Sequence, residues 1–506
     1  MACGNIRRNF PGTAVEPSHM DRRRFLAGSL AASGAALFSP SASPSGFTAA
    51  GGGREVRLSV RPHLPGNPIA ADFTGLSYES SQLSDPTFFS PENTALAAFH
   101  SRLGAAGVLR IGGNTSEFSI WSPGSAAVQP RPQALGPDTG RHPPPRRPIT
   151  PLAVRNLRGF LDRSGWRLIY GLNMGTGSAE AAADEAAYVA KVMGEKLVAF
   201  QLCNEPDLFH RNGLRGPGYG YPQFAAEWRR YFRTVRQRVP DAPFAGPDTA
   251  RNDEWLARFA REQRHDVAFL SQHYYAEGPP ADPSMTLERL LGSDATLGAE
   301  LESAAAARRS TGLPFRMTET NSCYGGGKPG VSDTFASALW AADLMYRLAQ
   351  AGATGVNFHG GGYGWYTPVA GTADSGFVAR PIYYGMLLFA AAGAGRLVMT
   401  ELDGVTDGSL TAFGLKSRDG ALKAVVLNRN LDADVTLAVD APGLRMTSVM
   451  RLLAPRPDDR TDVTFGGSVV GNDGAWMPAV TQTLPARQGV VTLRMPRASG
   501  ALLTLT

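Results

Sequence analysis

The chain has 506 residues, of which 43% are hydrophobic and 19% are charged, so it can bury a large core and hold two domains. Residues 1–50 contribute +3 of the net charge of +6, and the charge left on the remainder is too small and dispersed to predict a nucleic acid partner. Beyond that segment no apolar run approaches the roughly 20 residues of a transmembrane helix, so no membrane span is expected.

The N-terminal segment has the features of an export signal. Asp21-Arg22-Arg23-Arg24-Phe25 precedes a moderately apolar stretch of small residues and then a segment rich in Ser, Pro and Ala. This order is typical of Tat-type signal peptides, although a helix with a basic flank is the alternative. We therefore predict a signal peptide and leader over residues 1–50 and a periplasmic or extracellular protein. Past the leader only Cys203 and Cys323 remain, and we expect two buried thiols rather than a disulfide framework.

Strand-like and helix-like segments alternate through the middle of the chain. Eight apolar segments end in polar or glycine-rich loops, and they are Phe73–Glu79, Val108–Gly112, Leu168–Asn173, Val198–Asn204, Phe244–Asp248, Val267–Tyr275, Phe315–Glu319 and Gly355–Gly360. We predict an α/β fold with a (β/α)8 TIM barrel over residues 72–390. An open doubly wound sheet is the alternative, although no G-x-G-x-x-G follows a strand and no P-loop lysine motif is present.

Two regions depart from this alternation. The connection Ser122–Thr150, rich in Pro, Gly and Arg, is too long for an ordinary loop and is either a wall of the barrel mouth or a surface decoration. Past residue 390, short β-like runs are separated by Gly, Asp, Asn and Pro, which is typical of an antiparallel β-sandwich. These predicted strands are Thr411–Leu415, Lys423–Leu427, Val435–Val439, Thr447–Leu453, Val463–Val470 and Val490–Met495. We predict that residues 391–506 form this second domain. Residues 55–62 alternate like a half-buried strand and are predicted to join it.

Two glutamates end predicted strands of the barrel. In LVAFQLCNEPDL the fourth strand ends at Glu205, and the seventh strand ends at Glu319. Strands of a barrel present their carboxyl ends at one mouth, so the two side chains are expected to face each other. Glycoside hydrolysis needs such a pair, one to protonate the leaving oxygen and one to attack the anomeric carbon. The alternative is two glutamates that cap loops independently. No HExxH or comparable spacing is present, so neither a metal nor a cofactor is predicted.

Neighbouring strands supply further polar side chains. Period-two geometry puts His273 and Tyr275 on one face of the sixth strand. If that face points inward, Tyr275 hydrogen-bonds the nucleophile and keeps it ionised, while His273 holds the sugar or its neighbours. The alternative is a buried pair satisfied by the backbone. Asn204 is placed to bind the sugar 2-hydroxyl, and Arg110 of the second strand fits the same cluster.

The motifs LRIGGNTSEF, QLCNEPDLF, SQHYYAEGPP, MTETNSCYGGG and FHGGGYGWY together resemble glycoside hydrolase family 79, which contains β-glucuronidases and heparanases. The resemblance covers residues 55–506. It implies that Glu205 is the acid/base and Glu319 the nucleophile of a barrel enzyme. Cys203 departs from the family pattern, in which glycine precedes Asn-Glu-Pro.

The resemblance also implies a set of substrate contacts. The segment Tyr324-Gly325-Gly326 is expected to receive the carboxylate of a uronic acid through a tyrosine hydroxyl and backbone N–H groups. Tyr366 is expected to be a second tyrosine on that carboxylate, and Glu79 and Asn114 are expected to contact sugar hydroxyls. Neutral donors suit this task, because a cation here would pair with the nucleophile and weaken it.

The function predicted from these features is that of a retaining exo-β-glucuronidase. It would release terminal glucuronic acid, or the 4-O-methyl form, from a glucuronic-acid-containing glycan or glycoside. An endo-acting hydrolase of heparanase type is the nearest alternative, and the basic residues Arg141–Arg147 suit either an open cleft or a closed pocket. A non-catalytic carbohydrate-binding protein on the same scaffold is the other, and it would have been favoured by the loss of either glutamate.

Overall fold

The computed structural model describes residues 55–124, 146–362, 364–405 and 408–506. The predicted leader over residues 1–50 and most of the long Pro- and Arg-rich connection lie outside these ranges. Within them, no helix is both long and apolar enough to cross a membrane.

Elements are numbered in chain order within the described residues. The strands are β1 (Glu55–Ile69), β2 (Thr74–Glu79), β3 (Val108–Gly112), β4 (Ser119–Trp121), β5 (Arg147–Ile149), β6 (Arg167–Gly171), β7 (Leu197–Gln201), β8 (Phe244–Thr249), β9 (Phe269–Glu277), β10 (Phe315–Cys323), β11 (Gly355–Gly360), β12 (Val369–Thr372), β13 (Gly376–Ala379), β14 (Gly395–Asp403), β15 (Leu410–Ser417), β16 (Leu422–Asn428), β17 (Val435–Asp440), β18 (Met446–Leu453), β19 (Thr464–Phe465), β20 (Gln482–Pro485), β21 (Val490–Met495) and β22 (Ser499–Leu505). The α-helices are α1 (Thr94–Arg102), α2 (Pro151–Ser164), α3 (Ala179–Met193), α4 (Tyr221–Arg238), α5 (Asp253–Glu262), α6 (Leu287–Leu291), α7 (Ala295–Thr311), α8 (Phe335–Gln350) and α9 (Pro381–Ala392).

Eight parallel strands close into a barrel in the order β2–β3–β6–β7–β8–β9–β10–β11. The first strand pairs with both the second and the last, so the open doubly wound alternative is wrong and the predicted TIM barrel is confirmed. Every residue of β3 and of β10 is buried, as expected for strands that face side chains inside the barrel and helices outside it. The carboxyl ends of all eight strands therefore meet at one mouth.

Side chains in the sequence fix where the barrel helices begin and end. The hydroxyl of Thr150 accepts a hydrogen bond from the first turn of α2, and the carboxylate of Asp294 does the same for α7. Both helices stop at a glycine in the left-handed region, Gly165 (φ 79°) and Gly312 (φ 79°). These caps set the lengths of the loops that lead into β6 and β10.

The remaining large sheet has ten strands and confirms the predicted antiparallel β domain. Its order is β19–β18–β22–β16–β15–β14–β1–β17–β21, with β20 on β18, and the sheet curls around its own apolar core. The predicted strand 55–62 is part of β1, which lies between β14 and β17. The opposite face packs on the barrel helices, where Tyr346 of α8 stacks on Phe413 at 4.8 Å between ring centroids.

Several strands differ from those expected. Residues 463–470 were predicted as one strand, but only Thr464–Phe465 pair, because Gly466 (φ 57°) and Gly467 (φ 71°) turn the chain. The strands β14, β20 and β22 were not predicted. Two small sheets, β4–β5 and β12–β13, were also missed.

Candidate active site

Glu205 and Glu319 meet at the mouth of the barrel. One carboxylate oxygen of each, together with a ring nitrogen of His273, lie within 4.8 Å of one another. Glu205 adopts a left-handed backbone conformation (φ 50°, ψ 53°), which is uncommon for a residue other than glycine. Its backbone N–H donates to the carbonyl of Asp248 at 2.8 Å, and this bond holds the turn in place. Only 12% of the Glu205 side chain and 7% of the Glu319 side chain are exposed.

The carboxylate of Glu319 is surrounded by donors. Arg110 donates to Oε2, Tyr275 Oη donates to Oε1 at 2.8 Å, and His359 Nδ1 lies 3.6 Å from Oε2. Burial alone would raise the pKa of this carboxyl, but the positive charges of His359, His273 and Arg110 outweigh it. With the hydrogen bond from Tyr275, they lower the pKa of Glu319 to about 2. The group is therefore an anion at any ordinary pH.

Arg110 joins most polar side chains of the site. Its guanidinium is fully buried and comes from β3, on the inner face of the barrel. It donates hydrogen bonds to five side chains, which are Ser77 (3.2 Å), Gln201 (2.9 Å), Asn204 (2.8 Å), Asp248 (2.7 Å) and Glu319. Each nitrogen of the guanidinium donates to a side chain, so the cation cannot turn away from Glu319.

Asp248, at the end of β8, was not predicted as a site residue. Its Oδ2 accepts from Arg110 at 2.7 Å, and its Oδ1 accepts from Thr318 at 2.6 Å and lies 3.1 Å from His273 Nε2. Burial alone would raise the pKa of Asp248, but His273 and Arg110 hold it well below its usual range. The backbone carbonyl of Asp248 also accepts from the N–H of Glu205. Asp248 therefore links the backbone of Glu205 to Arg110 and His273, the cations beside Glu319.

His273 lies between carboxylates. Its Nδ1 is 3.0 Å from Glu205 Oε1 and its Nε2 is 3.1 Å from Asp248 Oδ1. Burial alone would lower the pKa of His273, but Asp248 and Glu319 raise it to about 10. The sequence interpretation had His273 hold the sugar or its neighbours, and the structure buries it with both nitrogens directed at carboxylates. Glu205, His273 and Glu319 each offer one ligand-type atom within 4.8 Å of the others, and both ring nitrogens of His273 are already directed at carboxylates.

The predicted hydroxyl contacts lie on the same side of the mouth. Asn204 Oδ1 accepts from Arg110, and its Nδ2 donates to Asn114 Oδ1 at 3.2 Å. Glu79 Oε2 accepts from the backbone and hydroxyl of Thr115 at 2.8 and 2.6 Å. Its Oε1 lies 3.4 Å from His359 Nε2, a neighbour that the sequence interpretation missed. These side chains are thus fixed by one another beside the carboxylate pair.

The predicted carboxylate-binding segment follows β10. Gly325 (φ 73°), Gly326 (φ 90°) and Gly327 (φ 90°) form a left-handed turn, and no acceptor among the described residues takes the N–H of any of the three. The ring of Tyr275 lies 6.4 Å from that of Tyr324 and 6.3 Å from that of Tyr366, between centroids. Tyr324 is 46% exposed and Tyr366 is 7% exposed. The structure therefore places Tyr324 and Tyr366 beside Tyr275, the residue whose hydroxyl donates to Glu319.

Below the site, Glu117 supports the loop that carries Glu205. Its carboxylate accepts from the backbone N–H groups of Asn204 and Gly175, and burial raises its pKa to about 8. Cys203, the departure from the family pattern, is buried with Sγ 3.9 Å from the carbonyl of Pro247. Cys203 and Cys323 are both free and buried, which confirms the two predicted thiols.

Comparisons with known proteins agree with this geometry. No protein-family model matches the chain. A curated β-glucuronidase of Aspergillus niger is 25% identical over 87% of this chain and 91% of its own. A curated β-glucuronidase of Neurospora crassa is 24% identical over 66% of each chain.

Solved structures share the fold. A 4-O-α-L-rhamnosyl-β-D-glucuronidase from Fusarium oxysporum matches 89% of this chain and 100% of its own with a TM-score of 0.72 and 17% identity. A family 51 arabinofuranosidase from Xanthomonas axonopodis matches the same shares with a TM-score of 0.67 and 18% identity. The chain is therefore a glycoside hydrolase, similar over most of its length to curated β-glucuronidases and consistent with glycoside hydrolase family 79.

Proposed function

We propose that this glycoside hydrolase is a retaining exo-β-glucuronidase that removes terminal β-linked glucuronic acid, or its 4-O-methyl form, from glycans or glycosides. The substrate class follows the names of the two curated relatives, both β-glucuronidases. The observation that carries the proposal is the carboxylate pair, because Glu319 is held ionised within 4.8 Å of Glu205.

The proposed reaction is a double displacement. Carboxyl groups about 5–5.5 Å apart are typical of retaining enzymes, whereas inverting enzymes leave about 6.5–9.5 Å for a water. Glu319 attacks the anomeric carbon while Glu205 protonates the departing oxygen, and Glu205 then deprotonates the water that cleaves the glycosyl–enzyme ester. The charges support these roles. Among the described residues Glu319 faces three cationic groups within 4.0 Å, and Glu205 faces only His273.

Recognition of the uronate is proposed for the glycine turn and two tyrosines. The N–H groups of Gly325 and Gly326, which have no acceptor among the described residues, offer neutral donors to the carboxylate, together with the hydroxyls of Tyr324 and Tyr366. Successive N–H groups in left-handed turns form concave anion sites. Because no charge is added beside Glu319, the nucleophile keeps its strength.

A pair of aryl substrates tests the substrate class. We expect p-nitrophenyl β-glucuronide to be hydrolysed far faster than p-nitrophenyl β-glucoside, since only the former carries the carboxylate. Equal kcat/KM values for the two would contradict the uronate assignment. Proton NMR of the first turnovers tests retention: the β-anomer of the product must form before mutarotation, and an initial α-anomer would indicate inversion.

The endo-acting alternative differs in its products. Incubation with heparan sulfate, glucuronoxylan and arabinogalactan side chains, followed by product sizing, should release a monosaccharide; shortened oligomers would favour the heparanase type. A non-catalytic binding protein is disfavoured because both carboxylates are in place beside their partners.

Export by the Tat route is proposed from the twin arginine alone. Replacement of Arg22 and Arg23 by lysine should retain a fused reporter inside the cell, and unchanged export of that variant would contradict the proposal.

A further inference from the structure

Glu117 is a buried acid whose carboxyl group binds backbone N–H groups. It lies in the short helical turn Asn114–Phe118 that follows β3, and only 2% of the residue is exposed. Its Oε1 accepts from the N–H of Asn204, and its Oε2 accepts from the N–H of Gly175. Burying an acid is costly, so a position that keeps one for two backbone donors invites a functional explanation.

The two bonds join three loops at the mouth of the barrel. The turn of Glu117 follows β3, Gly175 lies in the loop after β6, and Asn204 lies in the loop after β7. Thr176 Oγ1 reinforces the junction by donating to the backbone carbonyl of Glu117 at 2.7 Å. Arg215, from the loop after β7, donates to the carbonyl of Gly175 at 2.8 Å. Glu117 therefore fixes the loops after β6 and β7 against each other.

The turn that Glu117 holds is a strained one. The residue after Asn204 is Glu205, whose left-handed backbone persists only where neighbouring contacts hold it. Two consecutive N–H groups do so, since Asn204 donates to Glu117 and Glu205 donates to the carbonyl of Asp248. One acceptor follows β3 and the other lies on β8, so the two bonds hold the turn from both sides. Without Glu117, the backbone N–H groups of the turn are held from the β8 side alone.

A shift of this turn would move Glu205 and leave Glu319 in place. Glu319 lies on β10, and its carboxylate is held by Arg110 and Tyr275, neither of which is hydrogen-bonded to Glu117. A general acid must lie within hydrogen-bond reach of the oxygen that it protonates, and a small displacement is costly. The step that depends on Glu117 is therefore protonation of the leaving oxygen.

We propose that Glu117 is a positioning residue for the acid/base step, and that it acts by holding the Asn204–Glu205 turn so that the Glu205 carboxyl reaches the leaving oxygen. This role rests on the proposed retaining glucuronidase and extends its machinery to a residue that does not touch the substrate.

Two leaving groups separate this role from a purely structural one. Phenyl β-glucuronide has a leaving oxygen that needs a proton, whereas the leaving group of dinitrophenyl β-glucuronide departs as an anion. We would measure kcat/KM for both, because it reports the first displacement, and take the ratio of phenyl to dinitrophenyl for each variant. A ratio from one preparation does not depend on the folded fraction, so a destabilised variant remains informative.

We expect Glu117→Gln to lower this ratio by about tenfold. Both carboxyl oxygens can accept whether or not the group is protonated, whereas the amide nitrogen of glutamine cannot, so one N–H loses its partner. Gly175→Ala should lower the ratio without removing the acid. A Cβ at that position would lie 2.7 Å from Glu117 Cβ and 2.8 Å from its Oε2, so the carboxyl group must shift.

Glu185→Gln is the matched control. Glu185 is also a buried acid of the barrel, but it lies on α3 and accepts from the hydroxyl of Tyr170 at 2.7 Å rather than from a loop at the mouth. We expect its ratio to equal that of the wild-type protein, even if the variant is less stable.

The outcomes separate the two proposals. Equal losses on both substrates in Glu117→Gln, or the same fall of the ratio in Glu185→Gln, would overturn the positioning role and leave the glucuronidase assignment standing. If the wild-type protein cleaves neither glucuronide, the glucuronidase assignment fails and the positioning role fails with it.

Discussion

Glu205 and Glu319 are chemically identical side chains in unlike surroundings. The carboxylate of Glu319 is surrounded by Arg110, Tyr275 and two histidines, whereas His273 is the one hydrogen-bonding partner of the Glu205 carboxylate among the described residues. This difference in surroundings supports the proposed roles of Glu319 as nucleophile and Glu205 as acid/base.

The two glutamates should respond differently to truncation. We expect Glu319→Ala to have no measurable activity, because no group remains to form the covalent intermediate. Glu205→Ala should lose about 10²–10⁴-fold on substrates with poor leaving groups and much less on aryl glucuronides that leave without protonation. Steady-state kinetics over a series of leaving groups checks this. Glu302→Ala, an exposed glutamate paired with Arg309, is the control, and equal losses on all leaving groups would contradict the assignment.

Asp248→Asn tests the positioning of the pair. The amide cannot accept from Thr318, Arg110 and His273 together, and its loss of charge should lower the pKa of His273 from about 10, because an anion 3.1 Å from Nε2 is removed. We expect kcat to fall by about 10²-fold, as a small misplacement of catalytic groups does. NMR titration of labelled histidine measures the pKa. Asp241→Asn, at an exposed aspartate, is the control; loss of activity with an unmoved titration would indicate a purely structural role.

The glycine turn after β10 is the element proposed to bind the uronate carboxylate, and its role can be tested directly. Gly325 and Gly213 share the same left-handed φ of 73°, so alanine should strain both backbones alike. Only Gly325→Ala should also raise KM for an aryl glucuronide, because only its N–H is proposed to face the carboxylate. Thermal unfolding and KM are measured for both variants. Equal KM values for the two variants would remove Gly325 from the carboxylate site.

The sequence predicted the barrel strands to within a few residues, because a strand covered on both faces is a short apolar run. It did not predict β22, which is buried on both faces but opens with Ser499 and Gly500. Asp248 and Glu117 were missed for a different reason. Asp248 ends a predicted strand, but the partners of both carboxyls come from other strands and loops, which periodicity does not place.

Across the whole molecule, buried acids link stability to pH. Burial raises the pKa of Glu117 to about 8, of Glu300 to about 8 and of Glu185 to about 7. In the unfolded chain these groups ionise near pH 4.5. Their contribution to the free energy of unfolding is therefore fully present below that pH and is lost as the pH rises toward 8. We expect the Tm to fall by several degrees between pH 5 and 8.5, as measured by calorimetry.

Glu300 offers a check on that slope. Glu300 lies on α7, and its Oε1 accepts from Gln272 of β9 at 3.0 Å in the buried layer between the helix and the strand. Glu300→Gln keeps the shape without the charge and should flatten the decline of Tm with pH, whereas Glu302→Gln on the exposed side should not. A pH slope unchanged by Glu300→Gln would contradict the linkage.

The position of β1 sets an order of assembly. During synthesis this strand leaves the ribosome long before β14 and β17, the two strands between which it lies. The sheet therefore closes only when translation is nearly complete, after the eight strands of the barrel are already available to fold. Contacts so distant in sequence form late and slowly. The Tat route proposed from the twin arginine carries folded proteins, so on that route this late closure of the sheet would precede export.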